Sequence, residues 1–421
     1  MEKNLYICKK TMRILAIFLT FLLFIGPVLS AVLGWPLYGF VEKSKVLYLY
    51  PSFYILFIVI IWSYLKGKLK DIRYKYAVLI IFVSFSWFII DKICGREANL
   101  NILFHSMALP AMYFILYELL EDNTLNRNSI KIVILIMFVI NALMAIYERL
   151  TLTLYFPYDL IRSEFDYALE EEVVFRSSAL LGHPLTNALV MSIVMTFIII
   201  SDLNFYKKYS LYFLGFISLF CFNARAAIMI SAGIFVLYNT RRLFKKGVSL
   251  SRLFFLALLL VVFISIGAYL LNAGFGGRFE ENGDFSEDSS TLARIEVFAI
   301  LSHYGLSNFL WGLPYKDVEN MAIEVLGMTH IENWFILSTM IVGLVVTTIV
   351  TVFFVFVYRR AVKMYDLFSA FLIFIGTIVL GSTNNSFATG IPALSVFFAC
   401  SYAFAPISFK GVRINVVRSP Q

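Results

Sequence analysis

The sequence predicts an all-α, polytopic integral membrane protein of about twelve transmembrane helices, and three observations predict it. Apolar residues make up 60% of the 421-residue chain and charged residues only 15%, with a mean hydropathy of +0.83. Soluble domains hold roughly 45–50% apolar and about 25% charged residues. Apolar stretches near the ~20 residues needed to cross a hydrocarbon core recur along the whole length. The connections between them alternate between basic and acidic.

In order, the apolar segments are Met12–Leu33, Val46–Leu65, Tyr76–Cys94, Ile102–Leu120, Ile130–Arg149, Gly182–Ser201, Ser210–Phe222, Ala226–Thr240, Leu253–Leu271, Asn333–Tyr358, Leu367–Gly381 and Phe387–Ala405. The first, with Lys9, Lys10 and Arg13 ahead of it, reads as an uncleaved signal-anchor because so many spans follow. Counting both tails and the segment ends, the side of the amino terminus carries 24 of the 35 Lys and Arg but only 7 of the 27 acidic residues. By the positive-inside rule both termini are expected in the cytoplasm of a bacterial inner membrane, which also accounts for the net charge of +8 without nucleic acid. The whole chain, 1–421, reads as one transmembrane domain. Cys8, Cys94, Cys221 and Cys400 stand alone, with neither disulfide nor metal-site spacing. No nucleotide-loop, dinucleotide, zinc-protease or calcium-loop pattern is present, so no cofactor and no metal is expected.

Polarity concentrates in two periplasmic loops. Residues 151–181 carry Asp159, Arg162, Glu164, Asp166, Glu170–Glu172 and Arg176, and residues 272–332, between helices 9 and 10, carry Arg278, Arg294, Glu296, His303, His330 and Glu332. Long loops in a compact protein are commonly functional, and the second, with Trp311, Leu313 and Pro314, is expected to pack and to hold part of the site. Arg225 lies between two apolar stretches of only 13 and 15 residues. Its turn is therefore expected below the outer surface, where a cation faces a cavity or a partner. Either it pairs with a buried carboxylate such as Glu148 or reaches lipid headgroups, or it holds an anion with Arg176, Arg278 and Arg294, since guanidinium geometry suits phosphate. Thr329 and Glu332 fit a capping box, which leaves His330 free at a helix start, a suitable place for a general base. His183 is expected at a helix entry and His105 to satisfy a neighbouring helix.

Together these residues resemble the family of O-antigen polymerases and O-antigen ligases. The resemblance runs from the Arg176-Ser-Ser-Ala-Leu-Leu-Gly-His-Pro segment through the Ala224–Arg225 turn, then Arg278, Ser289–Ser290, Arg294 and Trp311-Gly-Leu-Pro, to His330-Ile-Glu-Asn333 and Gly343. It implies a membrane glycosyltransferase that takes a glycan from undecaprenyl diphosphate on the periplasmic side. Arg176, Arg225, Arg278 and Arg294 would hold the diphosphate and His330 would act at the acceptor, with Glu296, Glu332 and Asn333 in support. Two residues separate His330 from Asn333, whereas the ligase motif has none, and Asn223 replaces a small hydroxyl residue. Both departures favour polymerase. The implied partners are the carrier-linked glycan, membrane lipid, and other assembly proteins such as a flippase and a chain-length regulator. The rival readings are a transporter, for which the halves show no repeat, and a lipid-linked sugar flippase.

Overall fold

The computed structural model describes residues 2–32, 49–96, 101–120, 124–155, 175–245, 250–272, 297–326, 331, 333–383, 387 and 393–406, and the regular structure among them is all helical, with no strand. Each of the twelve apolar segments carries helix. They are α1 (Glu2–Val32), α2 (Pro51–Leu65), α3 (Lys75–Ile93), α4 (Leu109–Leu119, led in by a π turn at Asn101–Ala108), α5 (Thr124–Thr151), α6 (Pro184–Ile200), α7 (Phe205–Cys221), α8 (Arg225–Lys245) and α9 (Leu250–Asn272). After two short helices, α10 (Leu306–Trp311) and α11 (Tyr315–Leu326), come α12 (Trp334–Val342), α13 (Leu344–Val362), α14 (Leu367–Phe374, extended by a π turn to Ser382) and α15 (Ala393–Ala403).

Among the described residues, five helical stretches are long and apolar enough to cross a membrane: Lys10–Ser30, Ile72–Ile93, Ile102–Leu119, Thr124–Thr151 and Leu344–Val362. A helix that is apolar on every side must be buried in the protein or in lipid. Helices α4, α6 and α15 take the first course, packing together at the centre with almost every residue buried. Helix α5 takes both. Its inward face meets α1, α7 and α15, while Ile132, Ile136, Ile140 and Leu143 stand exposed along the opposite face. An apolar stripe open to the surroundings is a liability in water and what a lipid-facing helix requires.

Three expectations are corrected. The segment Asn333–Tyr358 is not one helix but breaks at Gly343, whose φ is +88°. There the loop strand through Gly312 (φ +82°) crosses the break so closely that a Cβ on Gly343 would lie 2.7 Å from the Trp311 carbonyl carbon, and one on Gly312 2.7 Å from the Gly343 nitrogen. Only glycine combines that φ with that approach. Second, α7 and α8 have 17 and 21 residues rather than 13 and 15. Asn204 caps α7 early by accepting from the Lys207 N–H at 2.9 Å, and α8 runs on through Arg241 and Arg242. Third, the helix after the large loop opens at Trp334. Asn333 is its N-cap, with Oδ1 accepting from Phe335 N and Ile336 N at 3.1 Å each, so the capping chemistry sits four residues beyond Thr329.

The described part of the large loop packs on the bundle end. Trp311 stacks on Trp87 of α3, with ring centroids 5.9 Å apart. Arg96 donates to the Trp311 and Gly312 carbonyls at 2.9 and 3.2 Å, and Leu313 N donates to Met340 O at 2.8 Å. Burial, and then Asp317, push the Tyr304 hydroxyl well above the ordinary phenol range, so it stays protonated and donates to Met340 O at 3.3 Å.

Candidate functional site

The site is built where an irregular segment, Phe175–Gly182, enters the bundle. A non-helical strand buried in an apolar interior must find partners for its amides elsewhere. Helix α5 supplies them from one face, because Asn141, Ala145 and Glu148 follow the i, i+4, i+7 spacing that aligns side chains. Glu148 is fully buried. Its Oε2 accepts from Ser178 N and Ala179 N at 2.8 and 2.9 Å, and its Oε1 from Tyr155 N at 3.0 Å. Asn141 Oδ1 accepts from Leu180 N at 3.0 Å, and Ser177 Oγ donates to Ala145 O at 2.7 Å. From α6, Asn187 Nδ2 donates to the Ser178 and His183 carbonyls.

The same segment closes over the α7–α8 turn. Ser177 N donates to Cys221 O at 3.0 Å, and Arg176 Nε donates to Phe222 O at 3.3 Å. The turn itself ends α7 with Asn223 at φ +52°, a left-handed position that asparagine tolerates at a helix end. Phe222, Asn223 and Ala224 are buried, and Arg225, half-buried, is the first residue of α8. Asn223 is 3% exposed, yet neither Oδ1 nor Nδ2 has a hydrogen-bond partner among the described residues. Leaving such a group unpaired costs about 1–3 kcal/mol, so an unfilled buried amide calls for a reason. Its backbone conformation explains why Asn suits position 223 but not why its amide is left open. A ligand drawn to the turn would explain that. Helix α8 begins there, and its first-turn N–H groups and dipole favour an anion alongside the guanidinium of Arg225.

Of the four arginines proposed for a diphosphate, Arg176 and Arg225 therefore meet at one turn. Arg278 and Arg294, with Glu296, His330 and Glu332, lie outside the described residues. Asn333 caps α12. The next residue, Trp334, donates from Nε1 to Ser382 Oγ at 3.3 Å, and the Leu380–Ser382 turn packs against both α12 and α8. That contact links the helix start following His330 to the helix that Arg225 opens.

Among the described residues Glu148 makes no ion pair with Arg225; three backbone amides donate to its carboxylate instead. His105 is buried and accepts the Tyr50 N–H on Nε2 at 2.7 Å, while His183 sits at the N-cap position of α6. Asn141, Ser177 and Asn187 escaped the sequence reading, though the Asn141–Glu148 spacing on a single helix face was a legible signal. Among the described residues no group of three or more His, Cys, Asp or Glu is placed to hold a metal ion. No protein-family model matches the chain, and the search of curated proteins finds no match to it.

Proposed function

We propose that the chain is a metal-independent membrane glycosyltransferase that polymerises undecaprenyl-diphosphate-linked oligosaccharide repeats into surface polysaccharide on the periplasmic face of a bacterial inner membrane. The observation that carries this reading is the α7–α8 turn: Arg176 laid on it, Arg225 opening the next helix, and a buried Asn223 amide without a partner among the described residues. Such a turn suits a phosphate-bearing group. The resemblance to O-antigen polymerases and ligases supplies the rest.

In this reaction the acceptor hydroxyl oxygen bonds to the anomeric carbon as the bond from that carbon to the diphosphate oxygen breaks. The hydroxyl proton passes to His330, and the diphosphate leaves with the negative charge. Arginines held in place before the reaction offset that charge as it develops. A single displacement inverts the anomeric centre, and a product-stereochemistry assay finding retention would rule it out.

The test is a gel of surface glycans and lipid-linked intermediates from a gene deletion complemented with wild type, Arg225→Ala, Arg225→Lys or His330→Ala. Removing a charge-stabilising donor typically costs 10²–10³ in rate, so Arg225→Ala should erase the ladder while the protein still elutes as a folded monodisperse species. Arg225→Lys should restore it only in part, because an ammonium lacks the planar fork. Single repeats on the surface with no ladder identify a polymerase. Long chains stranded on the carrier identify a ligase. Transport of carrier-linked glycan across vesicles without elongation identifies a flippase, and unchanged glycans would refute all three.

A further inference from the structure

A second site lies at the other end of the molecule. Arg127, near the start of α5, and Glu148 are separated by 21 residues of that helix, which places them roughly 30 Å apart at 1.5 Å per residue. Around Arg127 the structure holds a cavity of about 660 Å³, to which the α2–α3 connection contributes Lys68 and Arg73, α4 Glu118, and the end of α13 Arg360 and Lys363. Five cations thus face one carboxylate among the lining residues.

The arginines in the wall are fixed in place. Arg360 donates to Glu118 Oε2 from Nε at 3.1 Å and from Nη2 at 2.8 Å. Arg127 donates from Nη1 to the Ala405 and Pro406 carbonyls at 2.8 and 3.0 Å, just past the end of α15. Arg73 is paired with Asp71 at 2.9 Å. The lysines are exposed and carry no carboxylate partner among the described residues, Lys68 lying instead over the Trp62 ring at 4.8 Å. Deeper in, the cavity is aromatic, with Tyr117 and Tyr402 stacked at 5.6 Å. Beside Lys68 and Arg73 the chain presents Leu65 and Ile72, 77% and 79% exposed. Cations beside exposed apolar side chains match a boundary between lipid headgroups and acyl chains.

We propose that this cavity binds a phosphate-bearing anion, with an anionic phospholipid headgroup as the source that the exposed apolar neighbours of Lys68 and Arg73 favour. The arginines form a pre-organised wall and the two lysines close on the phosphate. The site is separate from the α7–α8 turn, and its test does not depend on the glycosyltransferase reading.

The experiment is native mass spectrometry of the purified full-length protein titrated with phosphatidylglycerol, cardiolipin or phosphatidylcholine, with inorganic phosphate as competitor. Each lysine near a membrane surface contributes about fivefold in affinity for anionic lipid. Lys68→Ala with Lys363→Ala should therefore weaken phosphatidylglycerol binding about 30-fold. Lys207→Ala with Lys245→Ala, which removes equal charge away from the cavity, should leave it unchanged. Retention of anionic lipid that inorganic phosphate fails to displace identifies the headgroup as ligand, and displacement by phosphate identifies the free anion. Equal retention of all three lipids, or an equal loss in the Lys207/Lys245 pair, overturns the site.

Discussion

Near its start, α5 places the buried Arg127 against the carbonyls of Ala405 and Pro406, just past the end of α15. Near its other end it places the buried Glu148 against the amides of Ser178, Ala179 and Tyr155. One helix thus spends a cation on orphan acceptors and an anion on orphan donors. In both places an ionisable side chain inside an apolar bundle secures irregular backbone. A buried charge in a membrane protein is commonly taken as a functional mark, and these two show that its first task can be structural. The Asn223 amide at the α7–α8 turn, with neither polar atom hydrogen-bonded among the described residues, then becomes the more telling group.

The comparison breaks most sharply at Glu148. Glu148→Ala strands the buried amides of Ser178 and Ala179 at about 1–3 kcal/mol each, and the part-buried one of Tyr155 as well, and should abolish the monodisperse peak in a detergent thermal-shift measurement by size exclusion. Glu148→Gln keeps an acceptor for part of the set and should fall between alanine and wild type. A Glu148→Ala protein that melts like wild type but makes no glycan ladder would assign the carboxylate to chemistry instead.

A smaller loss is expected at the opposite end. Arg127→Ala exposes carbonyls rather than amides, and a carbonyl with two lone pairs tolerates under-satisfaction better than an N–H does. The expected cost is about 1–2 kcal/mol in the same melt. A loss as large as that of Glu148→Ala would remove the asymmetry between donors and acceptors.

The smallest effect belongs to the exposed Arg241–Asp366 pair, 2.7 Å apart, which ties the end of α8 to the start of α14. Burial alone would raise the Asp366 carboxyl, but hydrogen bonds from Arg241 and Ser369 hold it below its ordinary value of 3.8. A depressed carboxyl contributes stability above its unfolded pKa and loses it as pH falls through the folded one. Asp366→Asn, which keeps a capping oxygen for Phe368 N and Ser369 N, should therefore cost under about 1 kcal/mol at neutral pH. That difference from wild type should vanish as pH drops below 3.8, and a difference that persists in acid would show that the pair's charge is not its source.

The sequence by itself determined that the chain is helical and which apolar segments carry helix, because an apolar run of fixed length admits few other states once backbone groups must pair within it. It also marked Arg176, Arg225, Trp311 and Gly343 as worth following. Tertiary structure decided how they are used. The break at Gly343 depends on Gly312 crossing it from 31 residues away, and helical propensity carries no trace of that crossing. The role of Glu148 depends on a segment about 30 residues downstream that has no regular structure to predict. The cavity around Arg127 draws on five elements spread from Lys68 to Ala405. Periodicity and hydropathy are local properties that survive in the linear chain, whereas a site is a meeting of distant residues that only packing can arrange.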